Sequence, residues 1–371
     1  MRSRILFRII VLSSIIVSCQ GVAVDGVLDN SHDSVQDGTN ENPSKAMNKN
    51  ELKSVGSHPI MFYNVENLFD TEDDKRNSGD DEFLPDGPKY WDSERYKKKL
   101  SRIEEALFLA NGESPLMCGF AEIENRKVLE DLIKTNRFAK VNYKVVHFDS
   151  EDQRGIDCGF IYDADRFFPE LETRLAIRMK DEPHFRTRDI LYIKGFLSNQ
   201  KSIHVFVNHW SSRREGEYET EPRRLAAAHV LRAKVDEILE EDEYANIAIV
   251  GDFNDTPLNR SLYEVMQAKG QHEQKAGSLV NLLLEEQRKD LGTAVHRGKW
   301  DVIDNIIISQ GLLRGISGFS VKDNNAFIVK NEKLLFTYKD GKQKPSATFG
   351  GDNYYGGFSD HLPVFLILQQ K

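Results

Sequence analysis

The sequence predicts an α/β fold in which sheets are covered by helices, and two observations carry that reading. Eight short segments (60–64, 116–121, 159–162, 189–197, 203–208, 246–251, 302–309 and 362–368) read as strands. Several are apolar throughout, as strands buried on both faces are. Helical stripes fall between some of them. Ser93 can cap a helix on which Tyr96, Leu100, Ile103 and Leu107 share one face. Pro222 suits the first turn of a helix carrying Leu225, Leu231, Val235 and Ile238.

Composition places the chain among soluble globular proteins: 371 residues, 39% hydrophobic, with a formal charge of −9. The length would accommodate two domains. No Pro/Gly/Ser-rich linker and no internal repeat interrupts it after residue 58, so residues 58–371 read as one large domain. The acidic balance argues against broad nucleic-acid binding through a basic surface, while leaving room for a locally basic site. Cys118 and Cys158 lie in apolar, strand-like stretches and read as buried free thiols rather than metal ligands. An oxidising compartment would also permit a disulfide.

The N-terminus reads as an export signal. Met1-Arg2-Ser3-Arg4 precedes Ile5 to Val17, which is apolar apart from Arg8, Ser13 and Ser14. A charged start, a short apolar run and a small residue at the cut define a secretory signal over residues 1–18, too short to span a bilayer. Ile16-Val17-Ser18-Cys19 resembles the lipobox of bacterial lipoproteins, which implies lipid on Cys19; plain secretion is the alternative. Residues 19–57 are rich in Asp, Asn, Ser and Gly and read as a disordered tether. Its root-mean-square span, on the order of 35 Å, would hold a domain clear of a membrane.

The candidate strands run into polar groups suited to metal or phosphate. In order these are Asn64 and Glu66, Glu122, Arg154, His209, Asp252 and Asn254, Asp304, then Asp360 and His361. Each alone carries little weight, since an Asn can cap a turn and a lone His is more often structural. Their joint occurrence at strand ends, where catalytic loops collect, carries the argument.

Six segments carry a resemblance: Tyr63-Asn64-Val65-Glu66-Asn67-Leu68-Phe69, Ala121-Glu122-Ile123, Asn208-His209-Trp210, Gly251-Asp252-Phe253-Asn254-Asp255, Ile303-Asp304-Asn305-Ile306 and Ser359-Asp360-His361-Leu362-Pro363-Val364. In this order they resemble the endonuclease/exonuclease/phosphatase superfamily, which includes pancreatic deoxyribonuclease, apurinic endonucleases, neutral sphingomyelinases and inositol polyphosphate phosphatases. The resemblance covers residues 58–371. It implies a four-layer α/β sandwich of the deoxyribonuclease I type, two packed mixed sheets flanked by helices.

Hydrolysis of an anionic phosphate ester needs a hard cation, a base, and donors for developing charge. Glu122 is the expected principal metal ligand, with Asn64 and Glu66 beside it and, by analogy with the family, Asp360 closing the site. Oxygen ligands without cysteine favour Mg²⁺, Mn²⁺ or Ca²⁺. His361 is the expected general base, oriented by Asp304, because an isolated imidazole titrates near neutrality. Asp252 and Asn254 would position the nucleophile, His209 would contact phosphate or assist the leaving oxygen, and Arg154 would contact phosphate.

His209 separates the chain from the apurinic-endonuclease branch, which typically has no histidine there. Arg213, Arg214, Arg223 and Arg224 are candidates for binding further phosphates, against a solvated loop and helix start. The last two are expected in a first helical turn, where positive charge is unfavourable, and that mismatch favours a functional reading. Tyr354 and Tyr355 could form an aromatic rim, and the acidic stretch Asp70 to Asp86 reads as a solvated loop rather than a second metal site. The leading expectation is an exported, membrane-anchored, monomeric endonuclease facing the periplasm or cell surface. Its alternatives are a phosphatase or phosphodiesterase of lipid head groups or small esters, and a catalytically silent binding protein on the same scaffold.

Overall fold

Strand formation here follows from segments whose side chains are apolar on both faces, and the computed structural model places them in two large mixed sheets. It describes residues 57–75, 77–273 and 277–371; the signal and nearly all of the tether lie outside them. The first sheet has six strands in the order Phe319–Ile328, Val364–Gln370, Ser57–Leu68, Met117–Ile123, Asp157–Asp163 and Tyr143–His147. Ser57–Leu68 runs parallel to Met117–Ile123 and antiparallel to Val364–Gln370. The second has seven: Phe167–Leu175, Ile190–Leu197, Ser202–His209, Ile247–Asp252, Asp304–Ile308, Leu279–Asn281 and Ala268–Lys269. Its central pair, Ser202–His209 and Ile247–Asp252, is parallel.

Alternation along the central strands explains the layering. Val205 and Val207, with Ala248 and Val250, point into the core between the sheets, where Phe62, Phe160, Ile306 and Leu366 meet them. The intervening Phe206, Ile247 and Ile249 point the other way, onto Leu231, Val235 and Ile238 of the helix Glu217–Glu241. The sheets approach so closely at Gly119 that a Cβ there would lie 2.9 Å from the Val207 methyls. Helix Ser93–Asn111 buries Tyr96, Leu100, Ile103 and Leu107 on the outside of the first sheet, against Ser57–Leu68. This is the four-layer architecture expected from the sequence.

Two local expectations are corrected. Asp92, not Ser93, caps the first helix: its carboxylate accepts from the amides of Glu94 and Arg95. The long helix begins at Glu217, five residues before Pro222, so its first turn is acidic (Glu217, Glu219) and suits the helix dipole. Cys118 and Cys158 are both buried free thiols. Among the described residues no helix is long and apolar enough to cross a membrane.

Candidate active site

The polar rim forms where strands of both sheets end together, and the backbone there is strained. Strand Ser57–Leu68 shifts register after Asn64, and Met117–Ile123 shifts around Glu122. Glu66, Asn67, Glu122 and Asn254 all take left-handed φ values, 54°, 56°, 65° and 50°. A non-glycine residue there costs about 1–3 kcal/mol and persists only where its surroundings hold it. The holding contacts are visible: the Asn67 amide donates to Glu122 Oε2 at 2.9 Å, and the Asn254 amide donates to Asp252 Oδ1 at 2.9 Å.

Asp252 lies at the centre and is almost fully buried. Asn64 Nδ2 donates to its Oδ2 at 3.0 Å, tying the first sheet to the second. The same oxygen lies 3.7 Å from His209 Nε2 and 3.8 Å from His361 Nε2. The other nitrogen of His361, Nδ1, is 2.8 Å from Asp304 Oδ2. Ser359 fixes the turn that delivers His361, donating from Oγ to the Asn64 carbonyl and accepting from the His361 amide. Thr293 Oγ1 accepts from the Asp304 amide.

The environments drive the two histidines apart. Burial, then the charges of Arg188, Arg154 and His361, push the His209 pKa well below 6.5, so that ring is neutral. For His361 burial also disfavours charge, but Asp304, Asp252 and Asp360 outweigh it and raise its pKa well above 6.5. The three carboxylates around His361 therefore favour its imidazolium form, where the sequence led us to expect a free base. The Asp252 carboxyl is pushed up to about 6, by burial first; the His361 cation opposes the rise and Asp304 adds to it.

Donors for a hard cation converge beside this centre. Glu122 Oε1 is 3.6 Å from Arg154 Nη2 and 3.9 Å from His209 Nε2, and Asp360 is a like-charged neighbour of Glu122. With Asn64, these two carboxylates would offer a divalent ion oxygen ligands. Asp252, Asp304 and His361 also bring ligand atoms within 4.8 Å of one another. There Asp304 holds His361 Nδ1, and both Asp252 oxygens accept hydrogen bonds. At the rim, Glu122 Oε2 and Asn64 Oδ1 likewise accept backbone amides.

The structure places several expected residues elsewhere. Both oxygens of the Glu66 carboxylate are engaged: they accept from the amides of Thr348 and Phe349 at 2.6 and 3.0 Å, binding the 346–360 loop to the first sheet. Arg213 is buried and paired with Asp301 at 2.8 Å, which removes it from substrate. Arg224 is 1% exposed and bound to Asp255, Thr220 and the Glu217 carbonyl; it locks the start of the long helix. Arg223 pairs with Glu182 and Glu215. Arg214 stays exposed. Arg154 does reach the site, donating to Asn67 Oδ1 at 2.7 Å. Tyr354 packs against Trp91 and Phe349, whereas Tyr355 is exposed.

Two buried cations were not found by sequence reasoning. Arg188 bonds Asp152 and the Trp210 carbonyl beside His209, and Lys99 bonds Thr348 and the Phe358 carbonyl beneath the 346–360 loop. Nothing local marks either residue, because their partners lie 22 or more positions away.

Fold and site together define a hydrolase of phosphate esters. The chain belongs to the endonuclease/exonuclease/phosphatase family, whose model matches residues 59–370. No curated protein matches the sequence. Solved structures similar to it include an endonuclease/exonuclease/phosphatase family protein from Bacteroides thetaiotaomicron (13% identity, TM-score 0.51, 85% of this chain and 98% of that one). The mannosyl-6-phosphatase of B. thetaiotaomicron is similar too (14%, 0.51, 84% and 99%). So is D. rerio TDP2 in complex with a single-strand DNA product (12%, 0.50, 85% and 99%). At these identities the likeness speaks for the fold.

Proposed function

We propose that this protein is a metal-dependent phosphodiesterase acting as an endonuclease outside the cytoplasm. The observation that carries the chemistry is the buried Asp304–His361–Asp252 line, completed by Asn64 and His209 and set beside Glu122 and Asp360. A divalent cation held by Glu122, Asp360 and Asn64, Mg²⁺ foremost with Mn²⁺ or Ca²⁺ as alternatives, would neutralise phosphoryl oxygens. Asp252, positioned by Asn64 and Asn254, takes a proton from the attacking water. His361, held as a cation by Asp304, stabilises charge building on the phosphoryl group. His209 is neutral and serves as a hydrogen-bond donor to phosphate or the leaving oxygen, and Arg154 contacts phosphate.

The preference for a nucleic acid over a small ester rests on the surface beside His361. Ala294 bridges His361 directly, and the strand Ala294–His296 lies against Gln343–Pro345. There Phe336 and Tyr338 are about half exposed, with ring centroids 5.1 Å apart, and Lys344 Nζ lies over both rings. Lys330 lies over Trp300 of the same neighbourhood. Exposed rings interleaved with lysines suit stacked bases and their phosphates.

A panel of plasmid DNA, RNA, sphingomyelin, inositol phosphates and a chromogenic phosphodiester tests the assignment. We expect plasmid nicking, and we expect Phe336→Ala with Tyr338→Ala to raise KM for DNA but not for the chromogenic ester. Turnover of lipid head groups or small monoesters with DNA left intact would favour the phosphatase reading. Export and a lipid anchor on Cys19 belong to the same proposal and rest on the N-terminal sequence; a monomer is the assembly proposed with them.

A further inference from the structure

The acidic stretch after the first strand was expected to be solvated, and Asp80 is not. It is 3% exposed; its Oδ2 accepts the Asp74 amide at 2.8 Å, while its Oδ1 has no hydrogen-bond partner. An unpaired buried carboxylate oxygen is costly unless a cation or a proton satisfies it. Asp73 and Asp81 flank it, and one oxygen from each of the three lies within 4.8 Å of the others.

We propose that Asp73, Asp80 and Asp81 form a second, structural cation site, separate from the catalytic rim, that takes Ca²⁺. Ca²⁺ suits a loop that offers carboxylates at short spacing, because it accepts irregular oxygen coordination completed by carbonyls and water. Two of the three carboxylates are exposed, so water can fill the open positions.

The site has a route to function. Gly79, one residue before Asp80, packs on the backbone of Arg154 so closely that a Cβ would lie 2.3 Å from the Arg154 carbonyl oxygen. Asn77 packs equally closely on Gly155. Two residues after Asp81, Phe83 stacks on Phe69 at 4.4 Å between centroids. The loop therefore braces the segment from which Arg154 reaches Asn67 and Glu122, and a bound ion fixes that brace.

The test uses the full chain with Glu122→Gln, which disables the catalytic rim as a competing site. Ca²⁺ titration should show one remaining site, a raised Tm, and slowed amide exchange confined to the 73–83 loop and the 152–155 segment it braces. Adding Asp80→Asn, or the milder Asp81→Asn at an exposed position, should weaken that binding by about tenfold or more. Absence of any site up to millimolar Ca²⁺ in folded Glu122→Gln protein would overturn the proposal. Unchanged affinity in the Asp81→Asn variant, or exchange protection outside those two segments, would do the same.

Discussion

His361 Nδ1 and Asp304 Oδ2 meet at 2.8 Å across the boundary between the two sheets. Asp304 opens the strand Asp304–Ile308 of the seven-stranded sheet, and His361 lies three residues before Val364–Gln370 of the six-stranded one. Asn64 and Asp252 make a second such link at 3.0 Å. The site is therefore assembled by inter-sheet packing, and its protonation states are set by groups from both sheets.

A pH profile reads this coupling. Asp252 works as a base only when deprotonated, so kcat/KM should rise with pH through about 6. His361 works as a cation, so the rate should fall again at a pH well above 6.5. Asp304 is the largest of the influences that keep the ring charged, so Asp304→Asn should move the alkaline limb to lower pH. Because the pair acts as a unit, His361→Ala with Asp304→Asn should be little worse than His361→Ala alone. An alkaline limb that stays in place in Asp304→Asn would mean the pair is not coupled as described.

Metal dependence separates two glutamates that look alike in sequence. Glu122→Gln should lose activity by orders of magnitude while its Tm holds, and wild type should be silent in excess EDTA. Glu66→Gln should behave in the opposite way. Losing an acceptor for the Thr348 and Phe349 amides should cost about 1–3 kcal/mol of stability, with the metal dependence of the rate unchanged. Denaturant melts and Mg²⁺ titrations on both variants decide it; weaker metal affinity in Glu66→Gln would restore that residue to the ligand set.

This contrast shows what the sequence could carry. Strands such as 203–208 and 246–251 were legible because both faces are buried and, His204 apart, their polar residues fall at the ends. Phe167–Leu175 was not, because its residues alternate in exposure and its outer face is polar. Likewise Asp252 and His361 were legible from their motifs, but the charge state of His361 was not. That state depends on Asp304, Asp252 and Asp360 converging through the fold. Glu66 shares its motif with Asn64, and only the distant 346–360 loop shows that its carboxylate is engaged.

Location can be tested independently of chemistry. With lipid on Cys19, the wild-type protein should partition with membranes, and Cys19→Ala should release it or leave it unprocessed. Fractionation with a lipid label checks this; a wild-type protein wholly in the soluble periplasmic fraction would refute the anchor while leaving export intact.

The arginines after His209 give the last prediction, and here burial decides the outcome. Arg224 is enclosed with Asp255, whose other oxygen accepts from Ser261. Removing one partner of a buried ion pair leaves the other charge without compensation, at about 3–5 kcal/mol. Arg224→Met should therefore lower stability by that order, with KM of the folded fraction close to wild type. Arg214 is exposed on the same segment, so Arg214→Ala should leave the melt unchanged. If it touches a nucleic-acid phosphate, that substitution should weaken DNA binding uniformly across sequences and reduce the salt slope of log K by about one. Salt-dependent DNA binding and chemical denaturation, run on both variants, separate the roles. A stable Arg224→Met protein with impaired DNA affinity would return Arg224 to the substrate surface, against its burial.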